Sequence, residues 1–508
     1  MKTLKFQKTT KRILPFAVLF VIAIIFFYKI PLTAYDRLIS LSLESKSLGQ
    51  VLSYSDGNFG RDLIRYLCHS DMFVCNILLA TFLVWGVMLV LSYSEAKKAY
   101  LFFLSFAFVL MAPKEIFVQT YASLQGAVTV LFPSALLVLY LFSASDLFRY
   151  NGRKKGWKIP LLFIYGFFTA LFDDRFTLAA LLISLCLTFL LFKKCGFSLH
   201  MLSHLLGVLG GLILNLCIGG NGLQVVGSFY GILDQLDTAI NALFIHNWIV
   251  VGTLTLVCLL LIQPIRSERS KKCRFTMALL IGSMFVLLFF RITDTILQTY
   301  KILGHYLTFL KAVAAGAYLY AVLRVIRYYV SKEHITTRVR NNLLAVVVFI
   351  LVFTFMGGNS AELLYLPFLV LIASTVTLFV YVVRHYRHLE DSMKHYFLIL
   401  GIVLCGLMCV ISVSNANTVE VMEIHTRDEL DAGKTEILLP ALPYGMYGDP
   451  ALQVGEQIFG ESYTITFVPY DQWDWAAYRE AHNVPAIEEY DQEKANTEND
   501  IIFEEEFK

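Results

Sequence analysis

The sequence predicts an all-α polytopic membrane protein of about thirteen transmembrane helices, each near the 20 apolar residues a bilayer core requires, with a small α+β segment outside the cytoplasm. Three observations carry this. Of 508 residues, 57% are hydrophobic and only 16% charged, against about 25% charged in an ordinary soluble protein. The apolar residues come in continuous blocks of span length, and not in alternating ten-residue segments, which excludes a barrel. Every second connection between blocks is basic.

Spans are expected near 13–30, 72–92, 99–117, 127–148, 159–176, 177–192, 198–218, 246–264, 275–292, 306–325, 343–357, 365–383 and 396–413. The basic start MKTLKFQKTTKR precedes an apolar run from Ile13 to Ile30 with no small-residue cleavage site, and reads as an uncleaved first span. Lys2, Lys5, Lys8, Lys11 and Arg12 then place the N-terminus in the cytoplasm. Lys97 and Lys98 fall on the same side, as do the clusters 149–158, 193–194, 266–274, 324–340 and 384–394. An odd number of spans puts the chain from Ser414 onward outside. The expected organisation is a membrane domain over 1–413, with a first outer loop at 31–71, and an extracytoplasmic segment over 414–508 with a flexible acidic end. In that tail EILLPAL and SYTITFVPY read as strands. DQWDWAAYREAH reads as a helix starting near Trp473 behind an Asp cap. The location implied is the plasma membrane.

The nine cysteines are scattered and form no CxxC pair, so no metal site is implied. A disulfide between Cys68 and Cys75 stays open but is only weakly supported, because seven residues make about two turns of a regular helix. No GxxxxGK[ST], GxSxG or HExxH run occurs, so a cytoplasmic ATPase mechanism has no support. Nothing points to a nucleic-acid partner, and no protein partner is legible.

The polar residues that could carry chemistry gather at the outer ends of spans. Asp36 lies about six residues past the first span. It is either a general base or metal contact at the bilayer surface, or a solvated loop acid beside Arg37. In SDGNFGRDLIRYL, Gly57 and Gly60 suggest a turn into a membrane-surface helix. Arg61 and Arg65 share one face of that helix and suit a lipid phosphate or pyrophosphate, or else snorkel at the interface. Asp173, Asp174 and Arg175 stand between two apolar half-segments, where they form a helix–helix turn or line a cavity. Lys114, Glu115 and Gln119, then Asn215 and Asn221, Arg291 and Asp294, and Asn359 and Glu362 end other spans on that face. They mark an outward-opening site, or the ordinary polarity of helix ends.

The order of these features resembles a bacterial multi-pass family assigned as glucosyltransferases within the GT-C glycosyltransferase group. In that pattern an outer loop opening on an acidic motif follows the first span, and a Gly-Arg precedes the second. PLTAYDRLIS and NFGRDLIRYL match these two features. FVQTYASLQGAVTVLFPSALL, FIYGFFTALFDDRFTLAALL and LLGVLGGLILNLCIGGNG resemble the family's later outer turns, and EILLPALPY and FVPYDQWDW its short ending. The chain departs from the pattern at Tyr35, where the first acid of a pair would stand, and at Asp173–Asp174, where a Glu-Asn sequence would be expected. It resembles a divergent member.

The resemblance implies transfer of a sugar from a polyprenyl-phosphate donor to a cell-surface glycan or lipid acceptor, outside the membrane. It implies Asp36 as the base and Arg61 as a phosphate contact. Arg37, Arg65, Gln119, Asp173, Asp174 and Arg175 are further substrate-binding candidates, and a divalent cation is a candidate cofactor. Two other classes stay open: a transporter or flippase for a lipid-linked or small solute, and a non-catalytic protein of surface-polymer assembly. Gly-interrupted spans such as LLGVLGGLILNLCIGG, which can form broken helices, favour the transporter.

Overall fold

The computed structural model describes residues 2–28, 47, 50, 59–69, 72–94, 98–150, 156–218, 226, 228–262, 271–297, 301–356, 361–385, 387–447, 464–475 and 477–478. They form a mostly helical protein. In order come α1 (Lys2–Tyr28), α2 (Phe59–His69), α3 (Met72–Tyr93), α4 (Ala99–Leu110), α5 (Lys114–Thr120), α6 (Leu124–Arg149), α7 (Lys158–Thr169) and α8 (Asp174–Cys195). Then follow α9 (Leu199–Ile218), α10 (Phe229–Ile240), a π-helical turn (Asn241–Ile245), α11 (Trp248–Ile262), α12 (Lys271–Leu297) and α13 (Lys301–Tyr329). The chain continues through α14 (Glu333–Phe355), a 3-10 turn (Ala361–Leu364), α15 (Tyr365–His385), α16 (Arg387–Asp431), β1 (Glu436–Pro440) and β2 (Thr464–Val468).

Among the described residues nine helices are long and apolar enough to cross a membrane, or eleven if each of two bent pairs is one span. Leu14–Phe27 and Lys158–Thr169 are shorter apolar helices. The α15 span lies at the centre, with 89% of its apolar window buried, whereas the α12 and α16 windows are 28% buried and face outward. Polar side chains tie α15 to its neighbours. Thr377 donates to Ser94 at 3.1 Å, and Asn342 to Ser374 at 3.0 Å. In a medium without water such interhelical bonds hold helices that apolar burial cannot.

Several expected boundaries shift, each for a local reason. The 99–117 span is two helices, because Met111–Pro113 breaks the chain and turns α5 by 88° from α4. The two spans expected at 159–176 and 177–192 divide instead at 170–173, where Asp173 caps α8. Residues 219–245 were expected as an outer loop, yet α10 occupies half of them, started by the Ser228 side chain accepting from Gly231 N. α10 joins α11 through the π turn with a 58° bend.

The expected soluble tail begins later than Ser414. α16 runs on to Asp431 because 414–431 holds good helix formers and neither Gly nor Pro. Its 45 residues span about 68 Å, twice a hydrocarbon core. It stops at Gly433, whose positive φ of 78° directs Gly433 N to Leu430 O and Lys434 N to Glu429 O. Both expected strands form. They pair in parallel, Glu436 opposite Thr464 through Pro440 opposite Val468. Their buried faces pack on Val419 and Met422 of α16 in a second small core. Near Trp473, where a helix is expected, the described residues Trp475, Ala477 and Tyr478 are helical, and Asp474 Oδ1 accepts from Ala477 N at 2.9 Å.

The glycines of α9 do not break it. α7 and α9 are the most tightly packed pair, and a Cβ at Gly207 would stand 2.2 Å from Phe163 O. The small-residue stripe serves close approach. Cys75 is buried, and the Cys68 side chain lies outside the described residues.

Candidate functional site

The α7–α8 turn organises one end of the bundle, the end that the charge pattern assigns to the outside. Asp173 has an extended backbone, and its Oδ1 accepts from Arg175 N and Phe176 N, each at 2.9 Å. This satisfies two of the orphan donors at the helix start. Its Oδ2 accepts from Arg175 Nη2 at 3.2 Å, and the same nitrogen lies 3.5 Å from Glu362 Oε1. Asp173 thus holds the turn and steers Arg175 toward Glu362.

Asp174 is left for other work. Its Oδ1 is buried and has no hydrogen-bond partner among the described residues. Arg61, Arg175 and Asn215 all act on it. Asn215, at the end of α9, donates to Ala170 O at 2.6 Å, while its own Oδ1 is buried with no partner among the described residues. Asn215 lies close enough to hydrogen-bond the Asp174 carboxylate, so only part of that carboxylate's acceptor capacity is open. A buried acceptor without a partner costs about 1–3 kcal/mol, so a water, a hydroxyl or a cation is chemically called for.

α2 brings Arg61 here because Gly60 allows it. Gly60 N donates to Leu171 O at 2.8 Å, and a Cβ at Gly60 would sit 3.0 Å from the Phe172 ring. Gly60→Ala is expected to lift the start of α2 off the α7–α8 turn. The check is faster amide hydrogen exchange over 59–65, with exchange in α15 unchanged.

α6 supplies the opposite wall. A Cβ at Gly126 would stand 1.5 Å from Gln119 O and 3.1 Å from Glu362 Oε2, so α5, α6 and the 361–364 turn meet there. Among the expected site residues, Arg61, Gln119, Asp173, Asp174 and Arg175 thus gather at one end, with Glu362 and Asn215 beside them. Asp36 and Arg37 lie outside the described residues, and Arg65 is in α2 with its side chain outside them.

Across α5 lies a second polar region. His246 Nδ1 is 2.7 Å from Glu115 Oε1. Arg291 Nη1 donates to Ile245 O and His246 O at 3.3 and 3.4 Å, and its guanidinium covers the Trp248 ring at 5.0 Å. Burial pushes the Tyr447 phenol up, against the pull of nearby Arg291. Sequence reasoning passed over His246, a lone His between apolar segments.

It also passed over Lys311, which is 5% exposed inside α13. Lys311 Nζ donates to Asp237 Oδ1 and Asn241 Oδ1, each at 3.0 Å, and Thr308 donates to Asp237 at 3.1 Å. The only signal was one Lys inside an apolar run. Lys311→Met is expected to cost about 1–3 kcal/mol, because Asp237 loses its cation but keeps the bonds from Thr308 and Asn241. Thermal unfolding should show the loss, and Lys311→Met with Asp237→Asn should recover most of it.

Among the described residues no three His, Cys, Asp or Glu side chains are grouped as a metal site. Asp174 and Asn215 can supply two oxygens of a Mg²⁺ shell, the rest coming from waters and a substrate phosphate. Comparison with protein-family models, with curated proteins and with solved structures finds no match for this chain.

Proposed function

We propose that the protein is a membrane glycosyltransferase that moves a sugar from a polyprenyl-phosphate donor to a glycan or lipid acceptor on the outer side of the membrane. Counting the two short apolar helices and each bent pair as spans gives thirteen, the odd number under which the cluster and the tail share the outer face. The observation that carries the reading is the meeting of Arg61, Asp174, Arg175, Asn215 and Glu362 at that end, with acceptor oxygens on Asp174 and Asn215 unsatisfied.

Those residue types suit the reaction. The acceptor hydroxyl oxygen bonds to the anomeric carbon, and the carbon–oxygen bond to the carrier phosphate breaks. The hydroxyl proton passes to a carboxylate, and polyprenyl phosphate leaves. In this reading Arg61 and Arg175 hold the phosphate and stabilise its growing charge. Asp174 orients the hydroxyl. Asp36 is the second carboxylate, the base implied by the family pattern.

Reconstituted protein with labelled polyprenyl-phosphate sugars tests this, comparing wild type with Asp36→Asn. A loss of about 10²–10⁴-fold is expected for a base. Undiminished transfer removes Asp36 from that role. A second reading, a transporter, is favoured by the two bent helix pairs, since broken helices commonly frame solute sites. It predicts movement of intact lipid or solute without transfer.

A further inference from the structure

Two cavities share Trp248 and Ile249 in their walls. The polar one, about 440 Å³, is bounded by Lys114, Glu115, His246, Arg291 and Tyr447. The other, about 510 Å³, is an apolar groove between α4, α11, α15 and α16, lined by side chains such as Leu101, Phe108, Leu256 and Leu404. One end of the combined space is therefore charged and the rest is hydrocarbon-like.

The charges do not cancel. Against the single carboxylate, Glu115, stand Lys114, Arg291 and the His246 imidazole, so the mouth carries net positive charge whichever form His246 takes. The groove follows α11 from Trp248 to Leu260, about 18 Å at 1.5 Å per residue. One leaflet of a bilayer is about 15 Å thick, so the groove matches an ordinary acyl chain.

We propose that the joined groove and cavity hold one anionic phospholipid of the leaflet at that end, its acyl chain between α4, α11 and α16 and its phosphate between Arg291 and Lys114. None of Arg61, Asp174, Arg175 and Asn215 lines either cavity, and the proposal does not depend on the catalytic one.

Trp248 is 44% exposed and lines both cavities, so it reports occupancy. The full chain is placed in phosphatidylcholine nanodiscs containing either dibromo-phosphatidylglycerol or dibromo-phosphatidylcholine at equal mole fraction. Quenching of Trp248 is isolated by difference from Trp248→Phe. Phosphatidylglycerol is expected to quench at several-fold lower mole fraction. Lys114→Gln and Arg291→Gln should each reduce that preference about fivefold, as for ~1 kcal/mol per juxtamembrane cation. Arg291→Lys should keep it within about twofold, because the charge remains. Lys114→Gln leaves the backbone contacts of Arg291 in place and guards against simple misfolding.

Equal quenching by the two lipids overturns the proposal, as does a preference unchanged in both Gln variants. Abolition of the preference by millimolar inorganic phosphate would make this a free-phosphate site instead. Displacement by trace polyprenyl phosphate would assign the groove to a carrier lipid. Either result overturns the phospholipid assignment while leaving sugar transfer to be judged by its own assay.

Discussion

Gly207→Ala is expected to destabilise the membrane domain by about 3 kcal/mol or more, at the upper end of overpacking costs, while Gly210→Ala leaves it nearly unchanged. On helix propensity alone both changes should help, by about 1 kcal/mol. Geometry reverses the sign at one position only. A Cβ at Gly207 would lie 2.2 Å from Phe163 O, a backbone atom that cannot swing away. At Gly210 the nearest atom is the Phe167 ring at 3.7 Å, an ordinary contact. Gly166 and Gly211 extend the same seam, their added Cβ atoms falling 2.4 Å from His204 O and 2.6 Å from Phe167 O. The consequence reaches function, because α7 leads directly into the turn that carries Asp173. Thermal unfolding in one detergent compares the two variants, and equal stability would refute close backbone packing of α7 on α9.

The second large effect is expected at Asp174. Asp174→Asn keeps the shape and removes the charge, and should lower sugar transfer by about 10²-fold, because the carboxylate that orients the acceptor hydroxyl toward Asp36 is lost. Stability should hold or rise slightly, because a buried acceptor without a partner is exchanged for an amide that can also donate. Asp173→Asn is the matched control. Asn caps helices nearly as well as Asp, so the fold should persist, while the charge pairing with Arg175 is lost. A larger activity loss at Asp173 than at Asp174 would shift the emphasis from orienting the hydroxyl to the placing of Arg175.

The spans and both tail strands were legible because each is a local pattern. Apolar blocks of span length and the short runs EILLPAL and SYTITFVPY need no distant partner to be recognised. Asp173–Arg175 was legible for the same reason, as three charges between apolar segments. The sequence suggested a turn at Gly60, but not that Phe172 would pack on it. α10 was hidden in a mixed segment, and the full length of α16 lay under a composition that also suits a soluble tail. Glu362 had been noted only as a polar helix end. Its approach to Arg175, nearly two hundred positions away in the chain, is a tertiary fact with no local signature. The same holds for Lys311 with Asp237 and for His246 with Glu115.

We propose that the charged end of the bundle transfers a sugar from a lipid carrier. The most direct measurement follows a doubly labelled donor, with one label on the sugar and one on the carrier phosphate, in liposomes holding the full-length protein. The labels are expected to separate, the sugar passing to the acceptor and the phosphate staying on the lipid, and Asp174→Asn is expected to keep them together. Labels that cross the membrane still joined, or that separate equally well with Asp174→Asn, would contradict it.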